Sequence, residues 1–328
     1  MIRGKRVMND TFEHTTYEQL YSDWHLESDC IPCCTSGSTG KPTKIYLPKK
    51  EMRASALRTC EFFNITASSH LHSCISPDYI GGKMMLIRSI VSGARFSYET
   101  PSNRPLENIP NDFIDLVSVV PSQMIHILDH PEIMKSVGHY LIGGAAIHQK
   151  IRDKIIEKGI SAFESYGMTE TSSHIALREV KEGEEWFHTL PGITVFPYAD
   201  NRLGIRIEGW KEFLTNDIAE INSGKFFKIL GRADNVINTG GKKVFPENIE
   251  QRLSPYLDFP FFISSRQDEK WGESIVLAIS PSGDNDLQEE KIFEICRATL
   301  LPWEVPKEIK RISKLELTGN GKIKRIKF

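Results

Sequence analysis

The sequence predicts an α/β fold in two domains. We expect a large N-terminal domain, with a mostly parallel sheet covered by helices and a small β-barrel-like part, and a small, mobile α+β C-terminal domain. Three observations support this prediction. The chain has 328 residues, of which 40% are hydrophobic, enough for two cores. Strand and helix patterns alternate over 31–170, and shorter alternating segments follow over 184–230.

The first part of the chain carries the parallel pattern. After one or two short helices within 1–30, strands and helices of similar length alternate, which favours a parallel sheet covered on both faces. Such sheets hold their ligands at the carboxyl ends of the strands. Strands are predicted over 31–34, 71–76, 94–98, 115–120, 140–142 and 161–163, and helices over 49–63, 84–91, 121–128 and 147–158.

After the predicted parallel part, the pattern of the sequence changes to shorter segments. Short alternating segments over 193–196, 204–208, 213–214 and 226–230 are punctuated by Gly and Asn and predict a small antiparallel sheet or barrel. A compact remainder follows, with predicted helices over 246–253 and 287–300 and a strand over 275–279. We place the domain boundary within 231–234, so that 1–231 form the large domain and 232–328 the small one.

Charge and composition exclude several classes of partner. The net charge is -2 and the pI about 6.6, so the chain has no overall positive field for nucleic acid or an anionic membrane. The charged amino terminus leads into no long apolar run, which predicts a cytoplasmic protein without membrane insertion. Of six cysteines, only Cys30, Cys33 and Cys34 have metal or redox spacing; without a second Cys/His pair, reduced thiols are the simpler interpretation.

One loop has the composition of a polyphosphate site. Glycines let backbone N–H groups approach an anion, hydroxyls add donors, and lysine adds positive charge. The spacing differs from the ordinary P-loop, and composition alone would fit a flexible surface loop equally well. The residues are Thr35, Ser36, Gly37, Ser38, Thr39, Gly40, Lys41 and Pro42.

The order of residues in this loop resembles the signature of the adenylate-forming superfamily, which includes acyl-CoA synthetases, adenylation domains and luciferases. A second segment resembles another signature of that family, in which a tyrosine stacks on adenine, a threonine reaches a phosphate and a carboxylate holds Mg²⁺. It consists of Ser165, Tyr166, Gly167, Met168, Thr169 and Glu170. The resemblance implies that Thr169 and Glu170 are catalytic, with Glu170 as the metal ligand. Gly143, Gly144 and Ala145 resemble the segment along adenine, although an ordinary strand-to-helix turn would also explain them.

Later segments match the family in the same order. The resemblance implies that Asp217 and Arg232 bind the ribose and that Asp234 is the hinge between the domains. Gly240, Gly241 and Lys242 resemble the segment that meets the phosphopantetheine arm of coenzyme A. Lys322, between Gly321 and Ile323, resembles the lysine that catalyses adenylation. The implied cofactors are ATP, Mg²⁺ and coenzyme A.

The acid is the least constrained partner. Only 34 residues precede Thr35, so the resemblance implies an N-terminally shortened scaffold. This short form and the segment 76–85 resemble 2-succinylbenzoate–CoA ligases of menaquinone synthesis; another aryl or fatty acid, loaded onto coenzyme A or a carrier protein, is the alternative. Tyr79, Gly82 and Lys83 are the candidate acid-binding residues, and Arg88 is a second candidate cation. Lys83 begins a predicted helix, where a cation is disfavoured by the helix dipole, which suggests a ligand for it; a lysine that extends its ammonium to solvent is the alternative.

Overall fold

A computed structural model describes residues 14–35, 43–107, 112–280, 288–316 and 325–328. Helix α1 packs its buried Tyr17 and Leu20 against a two-stranded antiparallel hairpin of β1 and β2, and α2 follows directly. Thr16 caps α1, because its side chain accepts a hydrogen bond from the backbone N–H of Gln19. The bounds are Tyr17–His25 for α1, Cys30–Cys34 for β1, Lys44–Pro48 for β2 and Lys49–Phe62 for α2.

The next elements form the predicted parallel sheet. Its strands lie in the order β4-β3-β5-β6-β7, with every neighbouring pair parallel. Helices cover it because their apolar residues and those of the strands form shared cores. The elements are β3 His70–Ser73, α3 Ile80–Ser92, β4 Arg95–Tyr98, β5 Ile114–Val119, α4 Pro121–Leu128, α5 Pro131–Lys135, β6 Val137–Ile142, α6 Gln149–Lys158 and β7 Ala162–Met168.

The antiparallel strands continue the same sheet. Strand β8 pairs antiparallel with β7, and the order then runs β8-β9-β13-β12-β11-β10, which makes eleven strands in all. The predicted antiparallel segments are therefore present, and the strands that the structure describes form an extension of the large sheet with no closed barrel. Their bounds are Ser173–Glu179 for β8, Phe187–Thr189 for β9, Ile193–Tyr198 for β10, Arg202–Ile207 for β11, Phe213–Asn222 for β12 and Phe226–Arg232 for β13.

The remaining elements form a second, smaller sheet with its own apolar core. Strands β15, β14, β17 and β16 are neighbours in that order, and β18 pairs parallel with β17. The carboxyl terminus runs beside β16, where the backbone N–H of Phe328 donates to the carbonyl of Ser265 at 3.0 Å. The elements are β14 Ile237–Thr239, β15 Lys242–Val244, α7 Pro246–Leu253, β16 Phe261–Asp268, β17 Gly272–Ile279, α8 Glu289–Thr299 and β18 Glu308–Arg311.

Candidate nucleotide and acid site

The hairpin of β1 and β2 holds the two ends of the predicted phosphate loop together. The backbone N–H of Thr35 donates to the carbonyl of Thr43 at 2.9 Å, and the N–H of Thr43 donates to the Thr35 hydroxyl at 3.2 Å. Of the predicted loop residues, the structure describes Thr35. The others, which lie outside the described residues, are Ser36, Gly37, Ser38, Thr39, Gly40, Lys41 and Pro42.

Small residues follow β6 at the carboxyl edge of the parallel sheet. The N–H of Gly143 donates to the Val119 carbonyl at 3.1 Å, and a Cβ at Gly143 would lie 2.9 Å from the Ser165 hydroxyl. Gly144 has a φ of +87° and is exposed, as is Ala145. The segment after β6 therefore exposes a surface of small residues, Gly144 and Ala145.

Tyr166 is fixed at the end of β7 by aromatic packing and one hydrogen bond. Its ring lies 5.1 Å from that of Phe227 and 5.8 Å from that of Phe187, between centroids. Its hydroxyl donates to Oδ2 of Asp217 at 2.5 Å. Burial, reinforced by the Asp217 carboxylate, raises the pKa of Tyr166 well above its ordinary value, so the phenol stays protonated and keeps donating.

Asp217 and Arg232 are partners across neighbouring strands. They face each other in the register of β12 and β13, and Nη1 of Arg232 lies 3.2 Å from Oδ1 of Asp217. Nη2 of Arg232 donates to Asp234 at 2.9 Å, and the Asn216 amide donates to the same carboxylate at 3.4 Å. The residues predicted for ribose binding and for the hinge thus form one hydrogen-bonded network.

The backbone at the end of β7 and directly after it is unusually constrained. A Cβ at Gly167 would lie 2.3 Å from the Ser173 carbonyl, so only glycine fits there. Ser172 and Ser173 have φ values of 54° and 103°, which are costly for residues with a side chain and concentrate at functional sites. Between them and Gly167, a short 3₁₀ turn carries Thr169, which is buried, and Glu170, which is half-buried.

Glu170 is the predicted metal ligand. Its carboxylate has no hydrogen-bond or ion-pair partner among the residues that the structure describes, although the side chain is half-buried. A free carboxylate at this edge is a suitable oxygen ligand for Mg²⁺.

Helix α3 carries the two cations that the sequence suggests for the acid, and both are buried. Lys83 is 3% exposed, and within the described chain its ammonium forms no hydrogen bond or ion pair. Burial lowers its pKa from the ordinary value, while Cys33 and Asp78 act in the opposite direction. Gly82 packs against the preceding loop, because a Cβ there would lie 2.3 Å from the Ser76 carbonyl. Tyr79 is exposed at the start of the helix.

Arg88 lies one turn and a half further along α3 and is 1% exposed. Nη2 donates to the Ser173 hydroxyl at 3.1 Å and lies 3.4 Å from Nδ1 of His174, whereas Nε has no hydrogen-bond partner. Burial, with Arg88 beside it, lowers the pKa of His174 well below its ordinary value. In the described chain no carboxylate pairs with Arg88, so this guanidinium is buried without a counter-ion. A charged residue inside an apolar helical run was the sequence signal for it.

The second sheet presents its predicted residues on a tight turn. Gly240 and Gly241, with φ values of +55° and +76°, connect β14 to β15, and the N–H of Gly240 donates to the Trp271 carbonyl at 2.9 Å. Gly241 has open space where a Cβ would be. The ammonium of Lys242 lies 5.4 Å from the centre of the Trp303 ring, a cation–π arrangement.

Lys322 lies outside the described residues, but the segment that follows it is anchored. Arg325 is half-buried and forms an ion pair with Glu250, to which Nη2 donates at 2.8 Å, and Nη1 donates to the Ile263 carbonyl at 3.0 Å. The ammonium of Lys327 pairs with Glu273 at 2.8 Å. Residues 325–328 are therefore held by contacts with the small sheet.

Comparison with known families decides the relationship. The model of the AMP-binding enzyme family matches residues 5–206, and the model of the AMP-binding enzyme C-terminal domain matches residues 262–322. The chain belongs to the AMP-binding enzyme family. The resemblance predicted from the loop and from the later motifs is confirmed.

Relatives within the AMP-binding enzymes cover nearly the whole chain. A 2-succinylbenzoate–CoA ligase from Listeria monocytogenes is 25% identical over 97% of this chain and 74% of its own length, and one from Bacillus cereus is 25% identical over 97% and 73%. Among solved structures, an acyl-CoA synthetase (AMP-forming)/AMP-acid ligase II-like protein from Dyadobacter fermentans is 30% identical, with a TM-score of 0.62 over 98% of this chain and 94% of its own.

A further structure shares the fold of this AMP-binding enzyme. The o-succinylbenzoate CoA synthetase of Bacillus subtilis, solved with the acyl-adenylate intermediate OSB-AMP, has a TM-score of 0.78 at 20% identity, over 89% of this chain and 67% of that protein.

None of the described helices combines the length and apolar character that a membrane span requires.

Proposed function

We propose that this AMP-binding enzyme is an ATP-dependent acid–thiol ligase. It activates a carboxylate as an acyl-adenylate with release of pyrophosphate, and then transfers the acyl group to coenzyme A. The observation that carries the proposal is the network of Tyr166, Asp217 and Arg232 beside the free carboxylate of Glu170, at the carboxyl edge of the parallel sheet.

Each part of this edge has a role in the proposal. The surface of Gly143, Gly144 and Ala145 receives adenine next to Tyr166, and Asp217 accepts hydrogen bonds from the ribose while Arg232 orients it. Glu170 holds Mg²⁺, which when bound neutralises charge that develops on the phosphates. Gly240, Gly241 and Lys242 receive the coenzyme A arm, because a thin group can pass close to this exposed glycine turn.

The buried cations of α3 support an acid with a second carboxylate. Lys83 and Arg88 lack carboxylate partners in the described part of the chain, so an anionic substrate would supply the missing charge. We propose 2-succinylbenzoate, in menaquinone synthesis, in agreement with the names of the relatives above. Another aryl or fatty acid, loaded onto coenzyme A or a carrier protein, is the alternative if the two cations serve other contacts.

A change of orientation between the two sheets would separate the half-reactions. We propose that residues 1–231 and 232–328 are the moving units and that Asp234 is the pivot, because it lies between β13 of one sheet and β14 of the other. Asp234→Pro restricts φ and should slow thioester formation several-fold more than adenylation. Single-turnover rates of both steps test this; an equal loss in the two steps would contradict the pivot.

Exchange of labelled pyrophosphate into ATP tests the function itself. The intact chain is assayed with a panel of carboxylic acids that includes 2-succinylbenzoate, 2-succinylbenzoate with either carboxylate esterified, benzoate and fatty acids, with thioester formation measured after addition of coenzyme A. We expect exchange to be greatest with the free dicarboxylate. If none of the acids supports exchange, the ligase proposal fails and the protein is a relative that only binds nucleotide. If a monocarboxylate supports the greatest exchange, the ligase proposal stands and the proposal of a dicarboxylate substrate fails.

A further inference from the structure

One group of side chains in the described residues, which the proposed function does not use, has the composition of a metal site: His72, Cys74 and Glu99. Strands β3 and β4 bring them together. His72 pairs with Ser97 in the parallel register, and residues two positions apart on a strand share a face, so Cys74 and Glu99 follow on the same side.

The three side chains are close and largely buried. One ligand atom from each lies within 4.8 Å of the other two, and Nε2 of His72 is 3.9 Å from Oε2 of Glu99. His72 is 8% exposed, Cys74 is fully buried, and Nε2 of His72 has no hydrogen-bond partner. Tetrahedral zinc bonds of about 2.0–2.3 Å place ligand atoms about 3.3–3.8 Å apart, so movements of an ångström or less would close the site.

The unpaired Nε2 is the feature that points to a ligand. A buried ring nitrogen without a partner is costly in either tautomer, since an N–H there would be too far from Glu99 at 3.9 Å to donate to it. Nδ1 lies 2.7 Å from the Ser97 hydroxyl, whose oxygen can accept a hydrogen bond from Nδ1–H and so leave the lone pair on Nε2, facing the cluster.

We propose that His72, Cys74 and Glu99 bind a zinc ion that links β3 and β4 at the edge of the large sheet. Nitrogen, sulfur and oxygen donors together suit zinc better than magnesium or calcium, which prefer oxygen alone. Binding replaces the S–H bond of Cys74 with a Zn–S bond and releases the proton to solvent. The thiolate and the carboxylate then neutralise the two positive charges of the ion, so the buried complex carries no net charge.

The surroundings already orient these ligands. The Glu99 carboxylate accepts the backbone N–H of Leu106 at 3.1 Å, and the Gln123 amide donates to the Cys74 carbonyl at 3.0 Å. Cys74 directly precedes Ile75 and Ser76, whose carbonyls lie against Gly82 of α3. A metal at Cys74 therefore fixes the loop that supports the acid-side helix, at a site separate from that of Glu170.

Titration with Co²⁺ as a probe tests the site in the full chain, freed of metal with a chelator and kept without ATP. We expect one Co²⁺ per chain, with thiolate-to-cobalt charge-transfer absorption and tetrahedral d–d bands, reversed by Zn²⁺ and unaffected by excess Mg²⁺. Cys74→Ser should abolish the charge-transfer band, and His72→Gln should weaken binding by more than about tenfold. Cys34→Ser, which changes a thiol with metal spacing elsewhere, is the matched control and should behave as the intact chain.

Thermal unfolding provides a second measurement that does not depend on Cys74→Ser. This measurement is needed because Cys74 is fully buried, and its substitution could destabilise the fold without any effect on metal binding. Zn²⁺ should raise the Tm of the intact chain and of Cys34→Ser, but not that of His72→Gln. Absence of the charge-transfer band in the intact chain, its persistence in Cys74→Ser, or an equal Tm shift in His72→Gln would each overturn the zinc site.

Discussion

The two sides of the candidate site differ in how their charges are balanced. On the nucleotide side, Asp217 and Arg232 are partners of each other, and Tyr166 completes the network. On the acid side, Lys83 and Arg88 are almost fully buried, and no carboxylate pairs with either of them in the described chain. Burying an unpaired charge is expensive, so the network of Tyr166, Asp217 and Arg232 is balanced without a ligand, whereas the two buried cations are not.

The largest expected effect tests whether the nucleotide side depends on a cation delivered by the small domain. Lys322→Ala should lower the rate of adenylation by about a hundredfold or more, the size expected for a lost charged contact in the transition state. Thioester formation from supplied acyl-adenylate should be nearly unchanged. Lys327→Ala, on the same tail but paired with Glu273, is the matched control. Equal loss in both half-reactions would contradict the assignment of Lys322 to adenylation.

Asp217→Asn tests the balanced side itself. Loss of the charged acceptor should raise the KM for ATP by about thirtyfold, while the KM for the acid stays the same, because a hydrogen bond to a charged group contributes about 1.5–3 kcal/mol. Initial rates at varied ATP and acid measure both constants. Glu212→Gln, which breaks the exposed pair with Arg206 on the same sheet, should change neither. A parallel rise in the KM for the acid would show that the two sides are not independent.

Arg88→Met tests the unbalanced side, with opposite expected effects on binding and stability. The KM for a dicarboxylate should rise by about tenfold through the lost charge-assisted hydrogen bond, with the KM for ATP unchanged. The Tm of the unliganded chain should stay the same or rise, because an apolar side chain of similar length replaces a buried charge without a counter-ion. A Tm several degrees lower with unchanged kinetics would make Arg88 a structural residue that supports Ser173 and His174.

The two sides of the site also differ in how far the sequence could predict their residue contacts. Tyr166 and Glu170 lie in one short segment at a strand end, so their proximity follows from the chain itself. The contact of Arg88 with Ser173 joins α3 to β8, far apart in sequence, and no local pattern specifies it.

The fold shows the same limit. The parallel strands were predicted because each lies beside a helix of matching length, whereas the antiparallel segments join the large sheet through β9, which inserts between β8 and β13. Strand β16 was not predicted, since its buried positions include Ser264 and Ser265 and interrupt the apolar pattern. The domain boundary, the hinge and the roles of the site residues stay predictions.

The smallest expected effect concerns the protonation of Lys83. Its pKa lies below the ordinary value because of burial, so the folded chain loses this proton at a lower pH than the unfolded chain does. Between those two pKa values the unliganded fold should gain stability as pH rises, since the unfolded chain then binds more protons. Affinity for a dicarboxylate should fall over the same range, because the ammonium that attracts it disappears.

Measurement of Tm and of the KM for the acid across alkaline pH separates Lys83 from the general pH response. Both trends should be absent in Lys83→Met, whose KM should already be about tenfold higher at neutral pH, the value of a charge-assisted hydrogen bond. Lys181→Met, an exposed lysine paired with Glu179, is the matched control and should retain both trends. If the KM of Lys83→Met equals that of the intact chain, the counter-ion on the acid side is Arg88 alone, and the imbalance between the two sides rests on one buried cation.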